Sequence, residues 1–69
     1  MTTGTWRPLP LRQQNVETWA PVEAAPAAVE AARRAMRDEG WAVVATVLVR
    51  RAERDGVLGW AVTLEVMEG

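Results

Sequence analysis

Residues 40–66 read GWAVVATVLVRRAERDGVLGWAVTLEV: two apolar runs, each opening on Gly-Trp, on either side of a charged turn at Asp55-Gly56. Asp-Gly between apolar runs is a strong hairpin signal, because the tightest hairpin turn needs positive φ at both central residues. The pattern predicts strands over 41–51 and 57–67. In the second, Leu58, Trp60, Val62, Leu64 and Val66 form a clean apolar face at period two, while Gly59, Ala61, Thr63, Glu65 and Met67 form a mixed one. The first strand is different. Trp41, Val43, Ala45, Val47 and Val49 are apolar, and so are Ala42, Val44 and Leu48 on the other side, interrupted by Thr46. Such a strand asks for cover on both faces. A two-residue loop at Asp55-Gly56 pairs Val49 with Val62, Val47 with Leu64 and Ala45 with Val66. That register gathers the apolar residues on one face, and a three-residue loop segregates them less well.

Upstream, PAAVEAARRAMRDE over residues 26–39 has helical periodicity. Pro26 suits a first helical turn, Ala and Arg are strong helix formers, and Glu30 stands four residues before Arg34. Gly40 suits the left-handed position just past a helix end. The apolar stripe is Val29, Ala32 and Met36, widened by Ala25, Ala28 and Ala35, so its small residues let the helix sit close to a sheet. Asp38 and Glu39 fall at the negative end of the helix dipole, where acids are mildly unfavourable. VETWAPV over residues 16–22 alternates and stops at Pro21, as a short edge strand does. RQQN before it reads as a turn or loop. MTTGTWRPLPLR carries Pro8 and Pro10, which remove backbone donors and favour an extended arm, with Trp6, Leu9 and Leu11 as anchors.

The predicted fold class is α+β: a small antiparallel sheet, built from the C-terminal hairpin plus an N-terminal edge strand or arm, packed against one helix. Residues 1–15 are expected to be an extended arm and residues 16–69 a single domain. One helix covers one sheet face. The other keeps Ala42, Val44, Leu48, Ala61 and Met67, and the arm, a second copy or a foreign protein are the three candidates to cover it.

Composition narrows the function. The chain has 69 residues, so about 60% of its unfolded surface is buried on folding and its stability is marginal without a staple. It has no Cys and no His, which excludes disulfides and the usual soft metal ligands, and no carboxylate cluster has loop geometry for a hard cation. Oligomerisation or docking is the staple left, and Trp6, Trp19, Trp41 and Trp60 are its largest side chains. Ser and Lys are absent too, and no glycine-rich phosphate loop is present, so neither nucleophile nor general base of the usual kind exists. No enzymatic activity and no cofactor are expected.

The formal net charge is −1, which argues against an electrostatic nucleic-acid binder. Arg33, Arg34 and Arg37 late in the helix and Arg50, Arg51 and Arg54 at the hairpin turn are either a solvated surface or an electrostatic contact patch. Interleaved acids dilute any phosphate-binding field. No run of about 18 apolar residues spans a membrane. The N-terminus lacks a basic region followed by an apolar core, so no secretory leader is expected. The expected compartment is the cytoplasm, or a virion if the chain is phage-encoded.

EGWAVV after the helix, and WAVTLEV in the last strand, resemble dodecins, small flavin-binding proteins that assemble into hollow shells. In that family a Trp opening the strand after the helix stacks on flavin, and Trp41 holds the matching place. The family's flavin-contacting Gln falls at Ala61, the helix here is shorter, and the likeness covers the C-terminal third. It implies an oligomeric binder of a planar, flavin-like ligand using Trp41 and Trp60.

The leading expectation is a non-catalytic protein-interaction or assembly module. It acts by self-association or by docking on a larger partner through Trp6, Leu9, Leu11, Trp19, Trp41, Val44, Leu48, Trp60 and Met67. Small phage accessory proteins, whether virion components or inhibitors, share this profile by class-level analogy.

Overall fold

The computed structural model describes residues 13–69; Trp6, Leu9 and Leu11, with the arm that bears them, lie outside the described residues. Four elements follow in order: β1 (Gln13–Ala20), α1 (Ala25–Asp38), β2 (Trp41–Arg54) and β3 (Val57–Glu68). The fold is α+β. The three strands form one antiparallel sheet in the order β1-β3-β2, and α1 packs on one face.

The helix forms where its stripe and its end signals agree. Ala24 stands at the N-cap without a side-chain cap, and its carbonyl accepts from the N–H groups of Ala27 and Ala28, with Pro26 in the first turn. At the other end the N–H of Gly40 donates to the Arg37 carbonyl, and Gly40 takes φ +94°, the left-handed conformation that lets the chain leave the helix and enter β2 at once. Ala28, Ala32 and Met36 are buried against Val62, Leu64 and Val66 of β3. Ala35, expected on the stripe, is exposed: the buried line runs at intervals of four, and Ala35 falls off it.

The even-numbered positions of β3 therefore face the helix, as their alternation predicts. Burying Val62, Leu64 and Val66 stabilises the fold by about 1.5–3 kcal/mol for each side chain. Val16, Ala20, Val22, Val43, Val49, Trp41 and Trp60 extend this core at its margins.

The hairpin is longer than predicted and differently registered. Asp55 and Gly56 both have positive φ (53° and 80°), so the turn is the two-residue one, and Arg54 pairs with Val57. Val49 pairs with Val62 as expected. Val47–Leu64 and Ala45–Val66 do not form. Thr46 pairs with Leu64 and Val43 with Val66, because irregularities between Val43 and Ala45 and between Thr46 and Leu48 leave Val44 and Val47 without a partner on β3. Each is a bulge, which adds a residue to one strand and bends it.

β1 begins earlier than predicted. Gln13, Gln14 and Asn15, read as a loop, pair with Met67, Val66 and Glu65, and the strand ends at Ala20 before Pro21. The amide of Gln13 also donates to the Glu65 carboxylate. The boundary between arm and domain placed at residue 15 thus falls inside a strand.

Candidate interaction surface

Among the described residues β3 is the central strand and β2 is an edge strand of 14 residues. Pairs in an antiparallel ladder alternate between those that exchange both backbone hydrogen bonds and those whose groups point away. The pair that closes a two-residue turn is of the first kind. Counting from Arg54–Val57, the residues of β2 opposite odd-numbered residues of β3 bond inward. Those opposite even-numbered residues (Trp41, Val43, Thr46, Val49, Arg51 and Glu53) direct their N–H and C=O groups away from β3.

Along the same strand Val44, Val47 and Leu48 are 47%, 52% and 50% exposed. Val44 and Val47 are the two bulged residues, and Leu48 opposes Thr63 on the sheet face that the helix does not cover. Val47 was predicted to lie in the core opposite Leu64, and the bulge displaces it. An apolar edge of this length, with no strand beside it among the described residues, is a ready template for another strand, and bulges are a device that restricts which strand fits.

The open face is closed in part by the chain itself. Trp19, predicted as an interface residue, lies across β3: its indole N–H donates to the Ala52 carbonyl on β2 at 3.1 Å. The guanidinium of Arg54 sits over the ring at 5.1 Å. Gly59 makes the crossing possible, since a Cβ there would lie 3.0 Å from Cε2 of Trp19 and 2.3 Å from the Ala20 carbonyl oxygen. Ala61, opposite Trp19, is buried. Beyond this patch come Glu17, bridged to Arg50 at 3.0 Å, and then Thr63, Leu48, Ala45, Ala42 and a half-buried Met67.

Trp41 and Trp60 are both half-buried on the helix face, at opposite ends of the helix. Trp41 opposes Glu68 and Trp60 opposes Arg51, which separates them by eight positions along β3, roughly 27 Å at about 3.4 Å per residue. The Trp60 indole N–H donates to the Glu23 carbonyl at 3.0 Å and so ties down the entry to α1. Trp41 lines a depression with Glu39, Gly40, Glu68 and Gly69. A single chain does not bring the two rings onto one ligand.

The six arginines are not one patch. Arg33 is half-buried and donates to the Thr46 hydroxyl, linking α1 to β2. Arg34 faces Glu30 at 3.7 Å in solvent, and Arg37 is exposed in the last helical turn. Arg50 pairs with Glu17, Arg51 lies 4.8 Å from the centre of the Trp60 ring, and Arg54 covers Trp19. Stacks of this kind contribute about 0.5–1 kcal/mol at exposed sites.

Among the described residues, no group of three or more His, Cys, Asp or Glu is arranged to hold a metal ion. No helix among them is long and apolar enough to cross a membrane. No protein family matches the sequence, and neither a curated protein nor a solved structure matches it.

Proposed function

We propose that this chain is a non-catalytic interaction module that works by self-association through the flank of β2. The observation that carries the reading is the coincidence, on one edge strand, of outward backbone groups and the half-exposed side chains of Val44, Val47 and Leu48. A chain of 69 residues with a small core and no covalent staple gains most from burying such a strand. Docking on a larger protein through the same flank is the related form, and a small phage accessory role, in a virion or as an inhibitor, remains the biological class suggested by analogy.

The test is sedimentation velocity on the native chain and on Val47→Asp. Val47 is outside the core, so the variant is expected to keep its circular dichroism while sedimenting as a lighter species. Unchanged sedimentation of a folded variant contradicts the use of this flank.

A further inference from the structure

The outward residues of β2 have an uneven spacing. From Trp41 to Val43, Thr46, Val49 and Arg51 the steps are two, three, three and two, because each bulge inserts one residue. From Trp41 to Arg51 the series is a palindrome centred on Thr46, and Glu53 extends it at one end. A regular strand follows β2 only as β3 does, with an extra residue of β2 left over at each bulge. A second β2 running antiparallel follows it throughout.

We infer that β2 pairs with β2 of a second copy, antiparallel, about a two-fold axis at Thr46. The inference rests on the self-association reading and adds its geometry. Thr46 stands opposite Thr46 of the second copy, Val43 opposite Val49, and Trp41 opposite Arg51. Thr–Thr, apolar and aromatic–cation pairs are favourable neighbours across strands. Opposed residues share a face, so both helices lie on the same side of one continuous six-stranded sheet. The interface is isologous, and every contact away from the axis occurs twice.

Two features that a single chain leaves unexplained follow from this register. Val44 meets Leu48 of the second copy, and Ala45 meets Val47, so the three half-exposed apolar side chains of β2 are covered at the seam. The antiparallel direction also brings Arg51, the arginine of β2 on the helix face, toward the C-terminal end of the other helix, while Arg50 and Arg54 stay on the open face. Asp38 and Glu39 are exposed there and oppose the helix dipole. A parallel pairing sets arginine beside arginine instead.

The chain contains no cysteine, so introduced thiols report only their own neighbours. Val44→Cys and Leu48→Cys alter side chains outside the core. The two variants are mixed in equal amounts, oxidised mildly, and compared with each alone. In the mixture the thiols face each other. Within one variant they are displaced by four residues, roughly 13 Å at about 3.3 Å per residue, beyond the Cα separation of about 7 Å that a disulfide tolerates. Linked dimer at least ten-fold more abundant in the mixture is expected, with the 44–48 peptide pair identified by mass spectrometry. Equal linking in all three samples, or none in a mixture that still associates by light scattering, overturns the register and leaves self-association standing. Thr46→Cys gives the answer from one variant: a self-linked dimer is expected, and its absence in a folded variant that associates overturns the register. A native chain that stays monomeric at every concentration overturns both proposals.

Discussion

At the scale of single residues, the fold depends on a few fully enclosed side chains and on two tryptophans with defined partners. Leu64 is 0% exposed at the centre of β3, under Ala32 and Met36. Leu64→Ala is expected to destabilise by about 2–5 kcal/mol, read as a lower urea midpoint at unchanged slope. A loss below about 1 kcal/mol would show that the helix is not seated on this face. Trp60 packs on the same core and holds the Glu23 carbonyl, so Trp60→Ala is expected to cost about 3 kcal/mol. A variant that keeps its stability and loses only association would return Trp60 to the interface, where composition alone had placed it. The roles of Leu64 and Met36 were legible in the sequence, because period-two and helical spacing point each to one side. The role of Trp19 was not. Its alternation said which side of β1 it occupies, but the reach across β3 to the Ala52 carbonyl depends on a strand order that no local pattern encodes.

At the scale of elements, the helix and the turn were legible because their signals are local: Pro26 in the first turn, Gly40 past the end, Asp55-Gly56 between apolar runs. The register of β2 was not. WAVVATVLV has almost no polar residue to mark which side faces water, so sliding it by one position hardly changes the pattern. Two bulges therefore leave no trace in the sequence. The start of β1 was missed for the opposite reason: Gln13, Gln14 and Asn15 are polar, and an edge strand on a solvated margin needs no apolar residues there. Gly59 belongs to this scale too, since its missing side chain lets the end of β1 and the Trp19 ring approach β3. Gly59→Ala is expected to lower stability by about 1–3 kcal/mol through overpacking, measured by thermal unfolding. An unchanged or higher midpoint would mean that β1 yields without loss.

At the scale of the whole molecule, lengths do not match. The helix has 14 residues and β2 also has 14, roughly 21 Å against roughly 46 Å at about 1.5 and 3.3 Å per residue. One helix covers part of one face, and the tip beyond Trp60 leaves Val57 and Leu58 exposed. The sequence posed this as a question about a strand apolar on both faces. The structure divides the answer: the helix takes the face of Val43 and Val49, Trp19 closes part of the other, and the remaining apolar surface is concentrated on the β2 edge. Self-association through that edge is the central claim, and light scattering coupled to size-exclusion chromatography across a concentration range tests it most directly. A discrete species of twice the 7.6 kDa chain mass, or a multiple of that dimer, is the expected result. A mass of 7.6 kDa at every concentration would contradict it.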